Sequence, residues 1–193
     1  MATGKLALII GPSGVGKSVI LKKLRESHPE FHFPRSATTR PRRPKEGDEL
    51  YRFVTNEEFA RLKKEKKLLE SAVVHGGASY GTLIDEIVPP IEQGKIVVRE
   101  VDVQGFESIR KHPLFSGSSA TYRLQSIFIL PENKEQLLAH ITKRAPMEKD
   151  ELTRRIQSME RELAYAELCD ATVRNREGKL TETIREVEEL LKN

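Results

Sequence analysis

The chain has 193 residues, which at roughly 150 residues per domain makes one domain, or one domain carrying inserted lobes. Hydrophobic residues are 37% and charged residues 32%, a balance that excludes a disordered chain. The net charge of +4 and a pI near 9.1 admit nucleic acid or any small anion as a partner, so the distribution of the charge has to decide.

The first apolar run is Leu6 to Ile10, five residues. It is short of the roughly 7 of a signal-peptide core and the roughly 20 of a membrane span, so a cytoplasmic protein without a membrane partner is expected. A Gly/Pro/Ser turn ends the run, and Val19, Ile20, Leu21 and Leu24 continue with helical spacing. Residues 34–88 are rich in Arg, Thr, Gly and Tyr, alternate over Leu50 to Val54, and leave through Pro89-Pro90. They read as an inserted lobe, with the run 61–67 a solvated helix face. Strands are then predicted at Ile96–Asp102, Ser126–Leu130 and Ala171–Arg174, and helices at Phe106–Lys111, Glu132–Lys143, Leu152–Leu168 and Thr181–Leu191. The polar stretch Arg144 to Glu151 reads as a loop. Strands alternating with helices argue for an α/β fold with a parallel sheet covered by helices. Cys169 is the only cysteine, so no intrachain disulfide or cysteine-held zinc can form, and it reads as a small core residue. The five histidines, at 28, 32, 75, 112 and 140, have no metal spacing and read as surface or loop residues.

Gly11-Pro12-Ser13-Gly14-Val15-Gly16-Lys17-Ser18 satisfies G-x-x-x-x-G-K-[ST] between a strand and a helix. Glycines let the backbone curl so that successive N–H groups point at phosphate oxygens, and the helix adds its positive N-terminal end. Lys17 supplies a cation for the β- and γ-phosphates, and Ser18 a hydroxyl for Mg²⁺. These eight residues form a nucleoside triphosphate site, shared by GTPases, ATPases and small-molecule kinases; the acceptor has to be read elsewhere. Ser36-Ala-Thr-Thr39-Arg40-Pro-Arg-Arg43 sets three arginines beside two threonines. Such a set can hold an acceptor phosphate, and it also fits a solvated basic loop or an RNA-binding arm.

Together these stretches resemble the guanylate kinase family. Ser36, Thr39, Arg40 and Arg43 fall on its Ser and Thr-Arg pattern, and Tyr51-Arg-Phe53-Val54 is similar to its Tyr-x-Phe-Val. Leu69-Glu70-Ser-Ala is similar to (Ile/Leu)-Glu-x-Ala, Tyr80-Gly81-Thr82 to Tyr-Gly-(Ser/Thr), and Val101-Asp102-Val103-Gln104-Gly105 to Ile-Asp-x-Gln-Gly. Arg144 and Arg155 stand 11 apart, Glu162 to Ala166 nearly repeats the following helix, and Val173-Arg-Asn175 resembles Val-x-Asn.

The resemblance implies a P-loop NTPase-type core over 1–33 and 89–193, an inserted GMP-binding lobe over 34–88 and a lid at about 141–152. It implies phosphorylation of GMP and dGMP by ATP with Mg²⁺, in a monomer or homodimer whose partners are nucleotides rather than nucleic acid. Gly11 to Ser18 and Asn175 would bind ATP. Ser36, Arg40, Arg43, Tyr51 and Tyr80 would hold the GMP phosphate, while Glu70, Thr82 and Asp102 complete the GMP site. Lys17, Arg43, Arg144 and Arg155 would supply the charge for transfer. A carboxylate at Glu70 suits guanine, which offers N1–H and the 2-amino group side by side; adenine would present a lone pair. Other readings are a sugar-bisphosphate kinase of similar architecture, which has no guanine to read, and a non-catalytic interaction module, which has no need of Lys17 and Ser18. The chain departs from the family at Glu100, where Asp is usual, and in the lid, which reads Arg144-Ala-Pro146-Met147-Glu instead of Arg-Gly-Thr. The spacing is one residue shorter over Glu46–Tyr51 and one longer over Glu70–Tyr80.

Overall fold

The computed structural model describes residues 4–73, 77–138 and 149–193, with side chains of the last segment from residue 153. In chain order it contains β1 (Lys5–Ile10), α1 (Lys17–Ser27), β2 (Ser36–Thr38), β3 (Tyr51–Phe53), α2 (Asn56–Lys64), β4 (Leu68–Val73) and β5 (Ser79–Leu83). It continues with α3 (Val88–Glu92), β6 (Ile96–Glu100), α4 (Val103–Arg110), β7 (Arg123–Pro131), α5 (Lys149–Leu163), β8 (Ala171–Asn175) and α6 (Leu180–Lys192). Among the described residues no helix is long and apolar enough to cross a membrane.

Four strands form a sheet ordered β6-β1-β7-β8, with β7 and β8 parallel from Ile127↔Ala171 to Pro131↔Asn175. Its inner strands β1 and β7 carry continuous apolar runs, Leu6 to Ile10 and Ile127 to Leu130, as expected of strands buried on both faces. By contrast, β6 and β8 end in charged or polar residues. Leu6 to Ile10 and Ile127 to Ile129 are fully buried. By compactness the chain divides into two units. One holds residues 7–29, 98–103 and 125–193, and the other is built mainly of 30–97 and 104–124.

The second unit carries a sheet of its own, ordered β3-β2-β5-β4. β2 runs parallel to β3 and antiparallel to β5, and β5 is antiparallel to β4. Successive side chains of a strand point to opposite faces. One face turns Ala37, Leu83 and Leu68 toward Phe59 of α2, closing a small apolar core with Val54 and Leu62. A Cβ on Gly81 would lie 3.1 Å from the Glu70 carbonyl oxygen and 3.2 Å from the Phe59 ring, so glycine permits this close approach. Thr55 caps α2 by accepting the Glu58 N–H at 3.1 Å, the capping pattern Thr-x-x-Glu.

Several boundaries differ from the sequence expectation. α5 begins at Lys149, inside the stretch read as a loop to Glu151. Polarity suggested a loop there, but Lys, Glu and Leu are good helix formers. Residues 164–168, expected to continue that helix, tighten into a 3₁₀ turn. The Cys169 N–H bonds the Ala166 carbonyl as the chain turns toward β8. The run 61–67 divides: α2 ends at Lys64, and Lys66 takes φ 55 in the turn to β4. α4 starts three residues before Phe106, placing Gly105, Phe106 and Ile109 inward. Cys169 is half-buried, its thiol 3.4 Å from the Tyr165 carbonyl oxygen. His28 is not a surface residue: it is buried, and its Nε2 lies 3.0 Å from Glu188 on α6. Helical residues 134–138 match the start of the helix expected over Glu132–Lys143. The rest of that helix, the lid through Pro146, His75 and His140 lie outside the described residues.

Candidate active site

The strand–loop–helix at the N-terminus builds the phosphate loop. Gly16 takes φ 101 as the residue capping α1, a left-handed conformation that favours glycine. It has no side chain to cap the helix, and the N-terminal end of a helix suits an anion. Lys17 Nζ donates to the carbonyls of Gly11 at 2.6 Å and Pro12 at 3.1 Å, folding the lysine back across the loop. Ser18 Oγ donates to both carboxylate oxygens of Glu100, at 3.2 and 3.0 Å. The longer Glu100 side chain therefore reaches the phosphate loop. Val101 N–H bonds the Ile9 carbonyl at 3.2 Å and anchors the end of β6, leaving Asp102 exposed. Lys17, Ser18, Glu100 and Asp102, with Ser13, line a cleft of about 290 Å³. A hydroxyl and a carboxylate are hard oxygen donors of the kind Mg²⁺ takes.

A second cleft of about 460 Å³ opens beside the loop, lined by Gly14, Gly16, Val19, Gln136, Asn175 and Arg176 among others. The Asn175 amide donates from Nδ2 to the Val15 carbonyl at 2.9 Å and accepts at Oδ1 from Thr183 Oγ1 at 3.2 Å.

The other predicted residues meet on the smaller sheet. Strand register pairs Tyr51 with Ser36, Ser36 with Thr82, and Thr82 with Glu70. These four residues form a single row across β3, β2, β5 and β4. Directly opposed residues share a face, so the row lies opposite the Ala37–Phe59 core. Tyr80, two residues before Thr82, shares the row's face, and its ring packs edge-on to Tyr51 at 5.9 Å. Thr82 is fully buried, and its hydroxyl donates to Glu70 Oε1.

Beyond β2 the chain curls around Glu46. Arg40 grips this carboxylate with both terminal nitrogens, at 2.7 and 3.0 Å, and the Arg43 N–H donates to it at 2.9 Å. Arg42 donates to the Glu46 carbonyl at 2.9 Å. Arg40 also lies 5.3 Å from the Tyr51 ring centroid. The Arg40 bond, then the Arg43 N–H, hold the Glu46 carboxyl down at about 2. The same bond to Glu46 raises Arg40, which stays charged. The Arg43 side chain is exposed.

A family profile described as guanylate kinase matches residues 3–193. A guanylate kinase of Nostoc sp. is 36% identical over 174 residues, 90% of this chain and 83% of its own. One from Thermosynechococcus vestitus is 38% identical over 175 residues, covering 89% and 86%. The chain belongs to the guanylate kinase family. The fold agrees: a crystal structure of guanylate kinase from Anaplasma phagocytophilum aligns with a TM-score of 0.69 over all of this chain and 86% of that one, at 22% identity.

Guanylate kinase motifs that were scattered in sequence fall into two groups. Gly11 to Ser18, Asp102 and Asn175 belong to the unit with the phosphate loop, and Ser36, Arg40, Arg43, Tyr51, Glu70, Tyr80 and Thr82 to the other. Arg155 is exposed on α5, and Arg144 lies outside the described residues. Sequence reasoning missed Glu46, Gln136, Arg176 and Thr183. Glu46 had a signal, an acid among arginines, but only the curl of the loop selects it over Asp48 and Glu49. Thr183 had none, being one polar residue on an amphipathic helix.

Proposed function

We propose that the chain is an ATP-dependent guanylate kinase, transferring the γ-phosphoryl group of ATP to GMP or dGMP in purine nucleotide metabolism. The observation that carries this reading is the row Tyr51–Ser36–Thr82–Glu70. It sets a carboxylate at one end and phosphate-binding hydroxyls, with Arg40 beside them, at the other.

Glu70 accepts the N1–H and 2-amino protons of guanine. The Thr82 proton is committed to Glu70, so its oxygen is left as an acceptor for the same amino group. Ser36, Tyr51, Tyr80, Arg40 and Arg43 take the phosphate. On the donor side the N–H groups of the loop and Lys17 hold the ATP phosphates. Ser18 and Glu100 would hold Mg²⁺, which when bound neutralises phosphate charge as it develops. Asp102 lies beside them in the same cleft. Arg43, Arg144 and Arg155 add positive charge to the transferring group. Phosphoryl transfer asks for alignment and charge more than covalent chemistry.

A sugar-bisphosphate kinase has no base for Glu70 and Thr82 to read, and an interaction module has no use for the Ser18–Glu100 pair. A coupled assay of ADP release with GMP, dGMP, AMP and ribose 1,5-bisphosphate tests the reading. Turnover with GMP and dGMP is expected; turnover with ribose 1,5-bisphosphate alone, or none, would overturn it.

A further inference from the structure

We propose that Thr183 and Asn175 are positioning residues that aim a phosphate-binding N–H of the loop, and that Asn175 acts through the backbone of Val15 rather than by touching the nucleotide base. This rests on the reading of the loop as an ATP site.

Both ends of the Asn175 amide are committed within the protein. Nδ2 donates to the Val15 carbonyl at 2.9 Å, and Oδ1 accepts from Thr183 at 3.2 Å. The peptide joining Val15 to Gly16 is trans, as are all described peptide bonds. In a trans peptide the carbonyl and the following N–H point in opposite directions. Pinning the Val15 carbonyl to Asn175 therefore turns the Gly16 N–H away from Asn175. That N–H is one of the donors at the start of α1 that have no partner within the helix. The amide also sits close against the loop: a Cβ on Gly16 would come within 2.7 Å of Nδ2.

Thr183 holds the amide in the orientation that the Val15 carbonyl, an acceptor only, requires. Its hydroxyl has one proton, directed to Asn175 Oδ1 and shared with the Lys179 carbonyl at 3.3 Å. With the amide flipped, Oδ1 would meet the Val15 carbonyl oxygen and two acceptors would face each other. Thr183 is buried at 2% exposure and lines neither cleft, so it acts only through its neighbours.

The test titrates a fluorescent ATP analogue against the full chain without acceptor, then measures KM for ATP and for GMP. Thr183→Val keeps the side chain's shape and removes the hydroxyl. It is expected to weaken analogue binding and raise KM for ATP by about 5- to 10-fold, the loss of one net hydrogen bond, and to leave KM for GMP unchanged. Thr183→Ser restores the hydroxyl and is expected to restore binding. Asn175→Asp sets a carboxylate oxygen against the Val15 carbonyl and should bind more weakly than Asn175→Ala, a comparison that does not depend on Thr183→Val folding. Adding Thr183→Val to Asn175→Ala should cost nothing further, because both remove one connection. Binding by Thr183→Val within about twofold of the parent, or a cost that adds in full to Asn175→Ala, would overturn the proposal. Failure of the parent itself to bind the analogue would instead overturn the ATP reading.

Discussion

Glu70 and Thr82 stand opposite each other on β4 and β5, and the buried threonine hydroxyl donates to the glutamate carboxylate. The threonine orients the carboxylate before any ligand arrives, and preorganised acceptors discriminate best.

Replacement of Glu70 by glutamine keeps the shape but sets an NH₂ donor against a guanine N–H. Glu70→Gln is expected to lower kcat/KM for GMP by at least about 100-fold, the size of a lost charged pairing of ~3 kcal/mol. Activity with AMP should stay low. Steady-state ADP release with each nucleotide checks this, and unchanged GMP kinetics would remove Glu70 as the base reader.

Lys17 Nζ donates to the loop carbonyls of Gly11 and Pro12 at 2.6 and 3.1 Å, and Lys17 is not part of the buried apolar core. Lys17→Ala is expected to abolish turnover at saturating ATP while the protein melts within a few degrees of the parent. Near-normal kcat would show that the loop does not hold the transferred phosphate.

For Arg43 the expected pattern is a joint change. Its backbone is tied to Glu46 while its side chain is exposed. Arg43→Ala should lower kcat and raise KM for GMP together, because a phosphate whose charge changes in the transition state is contacted in both states. An effect confined to KM for ATP would move Arg43 out of the acceptor site.

Glu46 supplies a pH dependence. Its carboxyl titrates at about 2 in the folded protein, against roughly 4.3 in an unfolded chain. A depressed carboxylate stabilises the fold fully above the unfolded value and loses that contribution as pH falls through the folded one. The parent should therefore melt above Glu46→Gln at pH 6, with the difference shrinking between about pH 4.3 and pH 2. Melting curves of both proteins across that range measure it; a difference that stays constant to pH 2 would contradict the Arg40–Glu46 arrangement.

The phosphate loop was legible in the sequence because it is a local device. Eight consecutive residues specify a strand end, a curled backbone and a helix start, and spacing alone identifies them. The resemblance supplied names for Ser36, Tyr51, Glu70 and Thr82 but no reason for them to be neighbours. That reason is strand register, which joins residues up to 46 positions apart, as in Ser36↔Thr82. A slip of one residue would send Glu70 to the face that holds Phe59. The contacts of Glu46 and Thr183 were invisible for the same cause. Arg40 could have met any of three nearby acids, and Thr183 reaches Val15 through Asn175, 160 residues from the loop it steadies. Composition and spacing determined which chemical groups this chain carries. Only the folded backbone decided which of them touch, because a hydrogen bond needs its partners within about 3 Å and at the right angle, and that placement comes from packing distant segments together.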